Sequence, residues 1–155
     1  EEAAATASST KESYENLLTV YSQYQSGNYS SAAMAEILLK VNRDALGSSA
    51  QELYDTLSGN ILTVVADRQY NIGVAAVQAQ NYTGAIEALG QVIQIDEKYG
   101  DGNALYNLGL AYSGSGDTAN AKKTFERVIE LFPNTDVATS AQTALDGGDT
   151  GSGNQ

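Results

Sequence analysis

The sequence contains no cysteine and no histidine, and their absence removes several kinds of chemistry at once. Without cysteine there is no thiol nucleophile and no disulfide, and without histidine there is no imidazole base. The usual soft metal ligands are missing for the same reason, so we expect no metal and no cofactor. A chain without thiols tolerates both reducing and oxidising surroundings, so cysteine usage leaves the compartment open.

Long apolar runs and basic side chains are also scarce. The most apolar short stretch, Ile61 to Ala66, falls far short of the roughly 20 residues that cross a bilayer, so we expect no membrane insertion. Acidic side chains number 19 against 8 basic ones, which gives a formal net charge of −11. Because such a surface repels phosphate groups, nucleic acid is not expected as a partner.

The two ends of the chain differ in composition from its middle. Residues 1–11 are small and polar without a hydrophobic period, and residues 146–155 combine glycine with turn-forming residues. We therefore expect a flexible linker at 1–11, one helical domain at 12–145 and a disordered glycine-rich tail at 146–155. The chain begins at Glu1 without a methionine or a signal-like segment, so we expect a piece of a longer protein, tethered through missing flanking sequence.

Apolar residues recur at helical spacing through the middle of the chain, and no alternating strand pattern of useful length interrupts them. This pattern predicts an all-α fold with helices over about 14–26, 30–46, 49–80, 83–96, 102–114, 118–132 and 135–145. Ser58, Gly59 and Asn60 are poor helix formers, but the apolar face keeps its phase across them. We therefore favour one long helix near 49–80.

Features in the second half of the chain repeat at a fixed spacing. Gly109 follows Gly73 by 36 residues, and Ala121 follows Ala85 by the same distance. The later copy contains Leu105-x2-Leu108-Gly109-x2-Tyr112, then Ala121-x3-Phe125, then Pro133. This arrangement resembles the tetratricopeptide repeat, with Leu105 in place of the tryptophan.

The resemblance implies antiparallel helix hairpins that stack as a short right-handed solenoid, with the last helix as a C-terminal cap. Gly73 and Gly109 are expected to let the two helices of each hairpin approach closely. Ala85 and Ala121 would be the small residues that face them. Two clear hairpins and their flanking helices would then bury a continuous core.

In tetratricopeptide arrays the first helices of successive hairpins line a concave groove that binds peptides or proteins. Carried over by position, the resemblance implies a peptide-binding face made of Asp67, Tyr70, Asn71, Val74, Gln78, Asn103, Tyr106, Asn107, Leu110 and Ser113. Asparagine can bond both peptide groups of an extended ligand, and tyrosine offers contact area with a polar tip. The alternative for Asn71 and Asn107 is a framework role between neighbouring helices. Because the face lacks lysine and arginine, it does not match the members that hold the C-terminal carboxylate of chaperones.

We therefore expect a protein-binding or peptide-binding scaffold rather than an enzyme. The acidic, cysteine-free composition and the low-complexity ends fit tethered display, and residues 125–145 resemble the ends of repeat proteins from bacterial envelopes. We therefore expect an extracellular or bacterial cell-envelope location, with the cytoplasm as the alternative. A second hypothesis is a homo-oligomer that pairs through the tyrosine-rich helix of Tyr14, Tyr21 and Tyr24. A third is a hydrolase built on carboxylates, the one catalytic chemistry that this composition leaves.

Overall fold

A computed structural model of the chain describes residues 2–149, and within them it has seven α-helices, two 3₁₀ helices and no strand. The α-helices are α1 Glu2–Ser26, α2 Ser31–Leu38, α3 Ser48–Gln78, α4 Tyr82–Ile95, α5 Asn103–Ser115, α6 Thr118–Leu131 and α7 Asp136–Asp149. The 3₁₀ helices, Arg43–Ala45 and Tyr99–Gly102, lie in the connections before α3 and α5. The all-α helical-repeat fold predicted from the sequence is confirmed.

The chain divides into two compact units, Glu1–Val65 and Ala66–Gln155, and the boundary falls within α3. α3 is helical throughout Ser58, Gly59 and Asn60, as the apolar phase predicts. Leu57 and Ile61 are buried immediately before and after this segment. Their burial outweighs the cost of about 1 kcal/mol that a glycine carries in a helix.

At both ends the structure differs from the expected domain limits. α1 begins at Glu2, where the composition predicts a linker, because alanine is frequent there and has the highest helix propensity. Buried Ser13 also anchors α1: its hydroxyl donates to the Ser9 carbonyl and accepts from the Asn42 backbone N–H at 3.1 Å. At the other end α7 continues through residues 146–149. Glu1 and residues 150–155 of the expected tail lie outside the described residues.

The first unit is built around the hairpin of α1 and α2. Leu17 and Val20 of α1, Leu38 of α2 and Leu57 of α3 are almost completely buried. Ser30 caps α2, because its hydroxyl accepts the backbone N–H of Ala33 at 3.2 Å. These residues give the first unit an apolar core of its own.

The second unit contains two core clusters that link successive helices. One joins α4 to α5, with partly buried side chains of α3 packed against it, and its buried members are Ala85, Leu89, Leu108 and Ala111. The other joins α5, α6 and α7, and its buried members are Leu105, Ala121, Phe125, Val128 and Ala141. α5 contributes to both clusters and therefore links the first hairpin of this unit to α6 and α7.

Gly73 and Gly109 lie at close helix contacts, but the facing side chains differ from the prediction. A Cβ atom built on Gly73 would lie 2.5 Å from Cγ of Leu89, and one built on Gly109 would lie 2.5 Å from Cε1 of Phe125. The predicted partners, Ala85 and Ala121, lie one helical turn earlier, within the two core clusters. The missing side chain therefore makes room for a large residue rather than for a second small one.

Candidate functional site

The ten residues predicted to bind a peptide lie on the second half of α3 and on α5, and none of them is buried. We call this set the α3/α5 face. Tyr70, Asn71 and Val74 of α3 correspond, 36 residues later, to residues 106, 107 and 110 of α5. The exposed members are Asp67, Asn71, Gln78, Asn103 and Ser113, and the partly buried members are Tyr70, Val74, Tyr106, Asn107 and Leu110.

The two tyrosines of the face are anchored on the core. Tyr70 packs against the cluster that includes Leu108 of α5, which brings the second half of α3 next to α5. The Tyr106 ring lies 5.8 Å from the Phe125 ring, centroid to centroid, at an interplanar angle of 49°. Each ring thus has one side against the core and remains partly accessible to solvent.

A residue that the sequence analysis did not predict, Tyr99, lies against this face. Its hydroxyl donates to Oδ1 of Asp67 at 2.6 Å, and its ring lies 5.1 Å from the Tyr70 ring at an angle of 47°. The bond to the Asp67 carboxylate, together with burial, raises the pKa of Tyr99 to about 12. Tyr99 therefore fixes two residues of the predicted face.

The connection that carries Tyr99 owes its shape to three successive residues with positive φ, Gly100, Asp101 and Gly102. Their φ angles of 61°, 53° and 91° turn the chain sharply before α5. The Asn103 side chain holds this turn by donating to the Gly100 carbonyl at 2.6 Å. The sequence signal for the turn was the repeat spacing, which exceeds the usual 34 residues by two.

The same connection is also tied to α6. Arg127 donates to both carboxylate oxygens of Glu97, at 2.8 and 2.9 Å, and to Glu130 at 2.8 Å. The guanidinium lowers the pKa of Glu97, and the two carboxylates raise the pKa of Arg127. Because these groups are substantially exposed, we assign the ion pairs of Arg127 a role in orienting the connection rather than a large contribution to stability.

The asparagines of the face have different surroundings. The Asn107 side chain donates to the Asn103 carbonyl at 2.8 Å, within α5 itself. The Asn71 side chain is exposed and makes no hydrogen bond to any described residue. Neither side chain bridges neighbouring helices in the described part of the chain, so the framework role that was the alternative is not seen. The amide of Asn71 is available to a ligand.

Comparison with known families matches residues 66–99 and, separately, residues 103–135, and both matches are described as tetratricopeptide repeat. The chain contains two tetratricopeptide repeats. The first matched repeat contains the second half of α3 with α4, and the second contains α5 with α6. No curated protein matches the chain. Tetratricopeptide repeats generally mediate protein–protein interactions.

This repeat protein also presents tyrosines on α1, in its first unit. Tyr14 and Tyr21 are 37% and 39% exposed, and Leu18 between them is 60% exposed. The Tyr14 hydroxyl accepts the backbone N–H of Gly47 at 2.8 Å, so this ring is held in place. The Tyr24 hydroxyl accepts from the Asn60 side chain in the same way, at 3.3 Å.

Two further properties bear on the chemistry of this repeat protein. Within residues 2–149, no group of three or more acidic side chains is placed to hold a metal ion. In the same range, no helix combines the length and the apolarity that a membrane crossing needs.

Proposed function

We propose that this protein is a scaffold that holds an extended peptide segment of a partner protein across the α3/α5 face. The observation that carries the proposal is the repeated set of tyrosine, asparagine and an aliphatic residue at positions 70, 71 and 74 and again at 106, 107 and 110. In both copies these side chains stay outside the buried core, and in α5 the neighbouring Leu105 and Leu108 are buried in it.

The chemistry of the face fits a peptide that is uncharged or basic. Asn71 can donate to and accept from one peptide group, and Val74 and Leu110 offer apolar contact to side chains. Tyr99 holds Tyr70 and Asp67 in place, which reduces the entropy that binding has to remove. The only charged side chain among the ten is Asp67, and the chain has a net charge of −11, so acidic peptides are disfavoured.

The experiment that tests this proposal starts from a random peptide library displayed on phage and selected on the immobilised chain. Enriched peptides are then mapped by changes in backbone amide NMR shifts. We expect the shifts to concentrate at residues 67–78 and 103–113. Changes confined to other helices, or enrichment that is equal on a chain with Tyr70→Ala and Tyr106→Ala, would overturn the proposal.

Self-association through α1 is the second candidate function, supported by the exposed stripe of Tyr14, Leu18 and Tyr21. Light scattering over a range of concentrations distinguishes the two functions. A dimer that weakens on Leu18→Glu and still binds selected peptides would assign the two activities to different units. A chain that stays monomeric at all concentrations would remove this candidate.

A further inference from the structure

A pocket of about 420 Å³ opens in the second unit, where α5 and α7 end and α6 begins. The apolar residues that line it include Ala121 and Phe125 of α6 and Leu145 of α7. Thr118, Lys122 and Asp146 add polar groups to the lining. The volume lies within the range of about 300–1,000 Å³ that is usual for small-molecule sites.

The internal repeat identifies the position that is equivalent to this pocket one hairpin earlier. At the repeat spacing of 36 residues, Thr118 at the start of α6 corresponds to Tyr82 at the start of α4. α7 follows α5 with a spacing of 33 residues, at which buried residues 105 and 108 match buried residues 138 and 141. At that spacing Gly147 corresponds to Gly114.

In the earlier hairpin, the ring of Tyr82 fills this equivalent space. A Cβ atom on Gly114 would overlap the Tyr82 ring, so the ring lies directly on the end of α5. A Cβ atom on Gly147 would meet no atom within 4 Å among the described residues. Threonine at position 118 has no ring, and the space that Tyr82 fills between α4 and α5 is therefore open between α6 and α7.

We propose that this pocket binds a phenolic ring, supplied by a tyrosine of a partner protein. The apolar lining accepts the ring, because Tyr82 shows that a tyrosine fits between the equivalent helices. Lys122, Asp146 and the Thr118 hydroxyl provide partners for the phenol oxygen and the adjoining backbone. The site shares only Ser113 with the α3/α5 face, so it does not depend on the function proposed for that face.

The test uses p-cresol, the side chain of tyrosine as a free molecule, with toluene as the analogue that lacks the hydroxyl. We expect the wild-type chain to bind p-cresol in the millimolar range, with NMR shift changes at the methyl groups of Ala121, Ala144 and Leu145, and to bind toluene more weakly. No shift change at these methyl groups at saturating p-cresol would overturn the proposal.

Thr118→Tyr fills the pocket from within the chain, and Thr118→Val is the matched control without a ring. The tyrosine variant is expected to melt roughly 3 °C higher than the wild type and to bind p-cresol at least tenfold more weakly. The valine variant should change neither the melting temperature nor the affinity by a comparable amount. A tyrosine variant that folds, melts no higher than the wild type and still binds p-cresol equally well would contradict the assignment.

Discussion

Phe125 of α6 occupies the place where a side chain at position 109 would lie, so this glycine tolerates no larger residue. We predict that Gly109→Ala lowers the free energy of unfolding by about 1–3 kcal/mol, because the Phe125 ring has to move within a packed core. Gly90→Ala in α4 is the matched control, since its Cβ atom would meet nothing within 4 Å, and it should be neutral or raise stability by up to about 1 kcal/mol. Urea denaturation measures the free energy of unfolding of both variants. Equal stability of Gly109→Ala and the wild type would disprove the close contact.

The bond between Tyr99 and Asp67 predicts a pH dependence. The pKa of Tyr99 is raised to about 12 in the folded chain, above its ordinary value of 10.0, so the folded state keeps a proton that the unfolded state loses. The stabilisation by this bond is therefore complete below pH 10 and is lost as the pH rises towards 12. Phenolate absorbance should show one late-titrating tyrosine that is missing in Tyr99→Phe. Asp67→Asn should return the pKa of Tyr99 towards its ordinary value. An unchanged titration of Tyr99 in that variant would contradict the assignment.

At this scale the repeat pattern placed the ten side chains of the α3/α5 face outside the core, but it did not predict Tyr99. Periodicity assigns a residue to a helix face from its neighbours in sequence. The contact of Tyr99 with Asp67 joins residues 32 positions apart and depends on the positive φ angles of the turn. Likewise, sequence spacing alone did not show that Leu89, rather than Ala85, faces Gly73.

Among the helices, α3 gives the sharpest test of the fold, because it continues through three poor helix formers without a break. We predict that Gly59→Pro costs about 3 kcal/mol or more, since proline removes a backbone hydrogen bond and its ring clashes with the preceding turn. Gly59→Ala, whose Cβ atom would meet nothing within 4 Å, is the control and should stabilise the chain by up to about 1 kcal/mol. Denaturant titrations compare the two. A proline variant as stable as the wild type would show that the helix is interrupted there.

Helix limits were predicted closely for α4, α5 and α6 but not for α2, which was expected to reach residue 46 and ends at Leu38. α4, α5 and α6 begin and end within about two residues of the predicted positions, because capping residues and glycines mark their ends. The start of α1 was missed, since an alanine-rich segment carries helix propensity without any hydrophobic period. The 3₁₀ helix before α5 was not predicted. The repeat spacing, two residues longer than usual, indicates a longer connection there but does not specify its backbone angles.

At the scale of the whole molecule, both matched repeats lie in the second unit, and the boundary between the units coincides with the start of the first match at residue 66. The all-α class followed from periodicity, and the hairpin pairing followed from the resemblance. What the chain binds depends on side chains outside the buried core, which the fold does not require. Asn71 and Val74 can change without loss of the core, so binding has to be measured.

The most direct measurement of the central claim is the dissociation constant of a peptide selected on the chain, determined by calorimetry for two double variants. We predict that Tyr70→Ala with Tyr106→Ala weakens binding at least tenfold, since partly buried tyrosines contribute strongly to interfaces. Thr83→Ala with Gln94→Ala, which changes two exposed residues of α4, should leave the constant within about twofold. Both variants have to keep cooperative melting. A folded tyrosine variant that binds the peptide as tightly as the wild type would contradict the account.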